Sequence, residues 1–176
     1  MDLLNLKSRT FLNILFLGLF IGCKVSYVPM NKTPYDGSGF RLDGYYYSKF
    51  QYGTNEPKLL IRFFYSDGTV LFWGNSKYDS SKIETTLSQL EDLFKMEKRN
   101  GAIYSSHYDW SAFEVDGTSI NMTSWAMSES FKKGTYKTVL TIINDTLLLD
   151  NDQAKHSYLY FKKFNDKPSN ASCPIN

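Results

Sequence analysis

Cysteine is almost missing from this chain. Two residues in 176, Cys23 and Cys173, cannot staple a small scaffold or build a cysteine-rich zinc site. Histidine is as scarce, with only His107 and His156, whereas a metal centre needs three or four converging ligands. No charge of one sign dominates. Lys+Arg 20 against Asp+Glu 18 leaves a net +2, too balanced for a protein that grips nucleic acid by neutralising phosphates. The apolar run Phe11–Gly22 has 12 residues, short of the roughly 20 that a membrane-crossing helix needs. Nucleophile-elbow, zinc-protease and phosphate-loop patterns are missing too. Asp145, Asp150 and Asp152 lack the EF-hand spacing and its closing glutamate, and read as turn residues. No catalytic residue, cofactor or metal is expected, and the chain is not read as an enzyme.

Aromatic residues are what the chain has in excess: 13 Tyr, 13 Phe and 3 Trp, a usage that suits strands. Leu59–Tyr65 and Thr69–Trp73 flank Ser66-Asp67-Gly68, and Asp109–Val115 and Thr118–Trp125 flank Asp116-Gly117, which are hairpin signals. Tyr136–Ile143 and Thr146–Asp150 flank Asn144-Asp145. Phe40–Tyr47 and Ser157–Phe164 add a first and a last strand. Between the third and fourth runs the period changes. Ile83, Leu87, Leu90 and Phe94 form one stripe of a helix over 81–99, with Ser81 and Glu84 suited to a capping box.

Eight strands in consecutive hairpins predict an antiparallel up-and-down barrel with one inserted helix, since a sheet of this size must protect its edges. A β-sandwich is the alternative. The helix stripe is expected to pack on the barrel. Strict alternation predicts that Phe63, Phe113, Val115, Ile120 and Met122 point inward, with Arg62 and Glu114 outward. Trp73, Trp110 and Trp125, on three strands, could converge at one barrel end. With those five they are the candidate residues for lining an apolar pocket, although the same side chains serve equally as core filler.

The N-terminus reads as an address. Lys7 and Arg9 precede the apolar run, and the length fits the h-region of a secretory signal peptide. Phe20-Ile21-Gly22-Cys23 then resembles the bacterial lipobox, with Phe20 where leucine is usual. The resemblance implies cleavage after residue 22, acylation of Cys23 and attachment to a membrane. Lys24, in place of an aspartate, points by the same resemblance to the outer membrane, facing the periplasm. The expected organisation is leader 1–22, lipidated Cys23 and tether to residue 38, barrel 39–165, and a frayed tail 166–176 carrying Cys173 as an exposed thiol.

Gly44-Tyr45-Tyr46 resembles the Gly-x-Trp that opens lipocalin barrels, with Tyr46 in the tryptophan's place. Arg41–Tyr46, Phe64–Val70, Ile143–Thr146 and Phe161–Phe164 resemble strand and turn signatures of the short lipocalin-like lipoproteins of Bacteroidota. That likeness implies a barrel on a lipid tether and supplies no catalytic residue. Two functions are expected of such a barrel: a module holding a small apolar ligand, or an accessory envelope protein with a filled barrel acting through protein contacts.

Overall fold

Runs of alternating large side chains, broken by Gly, Asp and Asn turns, fold among the described residues into eight strands and one α-helix. The computed structural model describes residues 30–50, 57–78, 80–100, 110–127, 133–151 and 157–171, with Cys173 and Ile175. Cys23, its leader, His107, His156 and Asp152 lie outside the described residues. The strands are β1 (Gly44–Phe50), β2 (Lys58–Phe64), β3 (Thr69–Lys77), β4 (Trp110–Asp116), β5 (Ser119–Met127), β6 (Lys133–Asn144), β7 (Leu147–Asp150) and β8 (Ser157–Lys163). A 3-10 turn, Ser80–Lys82, leads into α1 (Ile83–Asn100) between β3 and β4.

Each strand pairs antiparallel with the next, and β8 returns to β1 in the register Gly44↔Lys163 through Tyr47↔Tyr160. The barrel is closed, so the sandwich alternative falls. Closure leaves no edge strand to protect. At the seam, a Cβ on Gly44 would run into the Lys162 carbonyl and the Phe161 ring, so this position has room only for glycine. The β2–β3 turn uses Gly68 at φ +86°, and Asp67 Oδ1 accepts from the Thr69 amide at 3.1 Å.

The register sorts the side chains onto two faces, and both faces are buried along half of the wall. One face draws on every strand: Tyr46, Phe64, Val70, Phe113, Ile120, Met122, Leu140, Leu148 and Leu159 form a single cluster with Phe40. A ring contributed by all eight strands is the lumen. The other cluster draws on β1–β5 only, with Tyr45, Leu59, Ile61, Phe63, Leu71, Trp110, Ala112 and Trp125. It is the outer face, roofed by Leu87, Leu90 and Phe94 of α1. Phe94 is fully buried, its ring centroid 5.1 Å from Phe63 and 5.2 Å from Trp73. Tyr45 donates its hydroxyl proton to Glu91 on α1 at 2.8 Å, and Lys162 pairs with Glu91 at 3.2 Å.

The described residues that flank the barrel on either side pack against it. Within the tether range, Met30 is buried in the outer cluster, and Tyr35 stacks on Phe40 with ring centroids 4.8 Å apart. Within the tail, Ile175 is buried and Cys173 packs half-buried against the same cluster, its thiol pushed upward in pKa by burial. Lys167 donates to the Leu42 and Phe64 carbonyls at 2.9 and 2.6 Å, and Tyr65 donates to the Pro168 carbonyl at 2.8 Å. Apolar surface on β1–β5 is wider than α1 alone covers, and Met30, Phe164 and Ile175 complete the roof.

The buried phenols and this lysine set an alkaline signature. Desolvation raises the pKa of Tyr45, Tyr46 and Tyr65 above that of a free phenol and lowers Lys167 to about 8. The unfolded chain then holds the lysine proton longer than the native one, so Lys167 favours folding increasingly as pH rises from about 8 towards 10.4. The tyrosines act the other way: the unfolded chain ionises them near 10 while the native fold keeps them neutral, so their contribution is lost above about pH 10. Urea midpoints should hold or rise between pH 8 and 10 and then fall steeply, with the rise missing in Lys167→Met. A midpoint falling steadily from pH 8 in both proteins would contradict this assignment.

Candidate functional site

The lumen is built in two layers. At the hairpin end, where β2–β3, β4–β5 and β6–β7 turn, Phe40 plugs the barrel. Its ring centroid lies 5.0 Å from Phe64, 5.9 Å from Tyr46 and 6.0 Å from Phe113, and Phe64 meets Phe113 at 5.2 Å. The Tyr46 hydroxyl donates to the Asp145 carbonyl at 2.7 Å and accepts from the Arg41 amide at 3.0 Å, so the plug is tied down by hydrogen bonds as well as packing.

Two residues further along five of the strands, on the same face, the character changes. Ser48 follows Tyr46, Arg62 precedes Phe64, Ser111 precedes Phe113, Ser124 follows Met122 and Asp150 follows Leu148. All five are buried polar side chains. The Ser111 and Ser124 hydroxyls share a 2.5 Å hydrogen bond, and Arg62 Nη2 donates to Asp150 Oδ2 at 2.9 Å. Around the wall, β1 and β8 stand between β2 and β7, so the Arg62–Asp150 bond crosses the interior. The Phe72 ring lies 5.3 Å from the guanidinium carbon. In low dielectric, an ion pair of this kind is retained only with good geometry, because both charges have given up water.

This layer corrects the expected orientation of β2. Arg62 points inward, whereas Phe63, with Leu59 and Ile61, points outward beneath α1. The single charge in the run suggested a solvent-facing side, but here both faces of the strand are covered and the arginine takes an internal partner. The three tryptophans do converge, but in the outer cluster: Trp110 and Trp125 are buried there and Trp73 packs against its margin. Phe63, Trp73, Trp110 and Trp125 therefore line no lumen. Phe113, Ile120 and Met122 sit on the inner face, Val115 packs against them, and Glu114 is exposed on the outer face.

Sequence reasoning missed Phe40, Ser48, Arg62, Ser111, Ser124 and Asp150. One signal was available. Lys58–Phe64 is apolar on both alternating sets apart from its charged members, which marks a strand covered on both sides, and an arginine within such a strand requires a buried carboxylate. Asp150, closing the Leu147–Leu149 run, was the candidate.

Outside the barrel, a shallow groove of about 230 Å³ lies between Met30–Thr33 and the outer faces of β4–β6, lined by Ala112, Glu114, Asn121, Thr123 and Thr135. Among the described residues no three His, Cys, Asp or Glu side chains cluster as a metal site, and no helix is long and apolar enough to cross a membrane.

A closed eight-stranded antiparallel up-and-down barrel with one helix laid on its outer wall defines the class of the molecule: a lipocalin-like barrel. No known protein family, curated protein or solved structure matches the chain.

Proposed function

We propose that the chain is a lipid-anchored protein of the bacterial cell envelope whose barrel is a binding module rather than an enzyme. The anchor is an acylated Cys23 after removal of residues 1–22, and the address is the outer membrane, facing the periplasm. Support comes from the ordered basic head, apolar run and lipobox-like Phe20–Cys23. Met30 is seated on the barrel seven residues after Cys23, so the intervening chain reaches at most about 25 Å and keeps the module close to its membrane.

One observation carries the binding reading: the lumen holds a buried layer of charge and hydroxyls beyond a complete aromatic plug. A barrel that needed only filler would have continued the plug, because buried ion pairs add little to stability over apolar packing. Aromatic rings fill the hairpin end, so in this reading the bound molecule sits at the polar layer instead.

The test is mass spectrometry of the protein purified from native membranes. Acyl chains on Cys23 and a co-purifying small molecule are expected; a free N-terminal leader and an empty protein would contradict both halves. In Cys23→Ala, acyl incorporation should vanish, and undiminished labelling would refute the anchor.

A second reading, an accessory protein working through contacts, is favoured by the outer face that α1 leaves bare. Val139 and Ile143 on β6 and Tyr158 and Tyr160 on β8 are exposed there, with Tyr160 5.8 Å from Tyr47. Photo-crosslinking from position 158 that traps an envelope protein would support it.

A further inference from the structure

Arg62 is only 6% exposed, yet its bonding is incomplete. Nη2 is engaged by Asp150, while Nε and Nη1, both buried, make no hydrogen bond with the described residues. A guanidinium carries five N–H donors in one plane and keeps its charge, so donors left without acceptors in a desolvated layer are costly. The Phe72 ring near the guanidinium and the Asp150 bond at Nη2 direct what remains to in-plane acceptors at Nε and Nη1.

The charge balance selects the kind of acceptor. Asp150 already pairs with Arg62, so a carboxylate or phosphate guest would set a second anion beside the same guanidinium in a low-dielectric layer. An uncharged oxygen meets no such penalty. Ser48, Ser111 and Ser124 bring further hydroxyls to the same layer, suited to a guest with more than one polar atom.

We propose that Arg62 anchors a ligand site in the polar layer of the lumen, and that the site takes an uncharged small molecule presenting a carbonyl or similar oxygen acceptor to Nε and Nη1. This deepens the binding-module reading and rests on it. Asp150 is a positioning residue here: it holds the guanidinium across the barrel and sets its charge preference.

The experiment follows the Arg62 Nε–H resonance by NMR in the full-length protein in non-ionic detergent, titrated with hexanamide and with hexanoate. Hexanamide should shift the resonance saturably, with an affinity at least about tenfold above that of hexanoate. Arg62→Lys keeps the charge but loses the planar fork and should weaken amide binding by about tenfold or more. Should Arg62→Lys fail to fold, Arg62→Met/Asp150→Leu replaces the pair with apolar side chains and should abolish binding in a folded barrel.

Tighter binding of hexanoate would overturn the proposal in favour of an anion site. No saturable shift, with Nε–H exchanging as in solvated arginine, would overturn it in favour of hydration. Undiminished amide binding in the double variant would also overturn it, by placing the guest elsewhere. The two readings separate in that variant. A co-purified molecule that stays bound to it leaves the binding module standing and removes Arg62 as anchor; a wild-type protein that neither carries nor binds any small molecule removes both.

Discussion

Phe94→Ala should destabilise the protein by about 3–5 kcal/mol, the range for deleting a fully buried aromatic ring without collapse of the site. Phe94 is the point where helix and wall meet: its ring lies 5.1 Å from Phe63 on β2, 5.2 Å from Trp73 on β3 and 6.2 Å from Phe164, the residue after β8. The outer tryptophans report the loss directly, since Trp73, Trp110 and Trp125 belong to the cluster that Phe94 roofs. Urea titration followed by tryptophan fluorescence measures it. Met96 on the solvent side of the same helix is the control, 52% exposed, and Met96→Ala should stay within about 0.5 kcal/mol. Equal effects of the two substitutions would mean that α1 does not rest on the barrel.

Arg62→Met should cost about 3–5 kcal/mol, because it breaks a buried ion pair by removing one partner and leaves the Asp150 carboxylate without its guanidinium inside the lumen. Arg62→Met/Asp150→Leu should recover most of that loss, since exchanging a whole buried pair for apolar side chains of similar volume is often neutral or stabilising. This reversal separates an internal pair from a surface one. An arginine on the outside would cost less than about 0.5 kcal/mol on removal, and a second substitution on β7 would simply add to it.

The strands and the helix were legible because their signals are local. Gly68 takes its left-handed turn at φ +86°, Gly117 takes another at φ +57°, and Leu87, Leu90 and Phe94 are buried along one stripe. Barrel closure was legible as well, since consecutive hairpins leave two edges that must meet. The facing of β2 was not. A period of two says which residues share a face, never which face is inside, and the usual tie-breaker, a charge turned to solvent, fails where a helix covers the outer wall. The partner that resolves it, Asp150, lies 88 positions away in sequence. The same limit explains the tryptophans: their convergence could be anticipated from hairpin order, but their side of the wall depends on the facing of β2–β5. The seating of the tail on the outer cluster depends on how much apolar wall α1 leaves uncovered, which no local pattern in Asp166–Asn176 encodes.

The facing of β2 is therefore the central claim, and nuclear Overhauser contacts between α1 and β2 test it most directly. The account predicts contacts from the Phe94 ring to Phe63 and from the α1 stripe to the outer-face side chains of β2, and contacts from the Arg62 side chain to Phe72 and Asp150. Contacts from Phe94 or Leu90 to Leu60, Arg62 or Phe64 would contradict it, turning the strand over and taking the arginine out of the lumen.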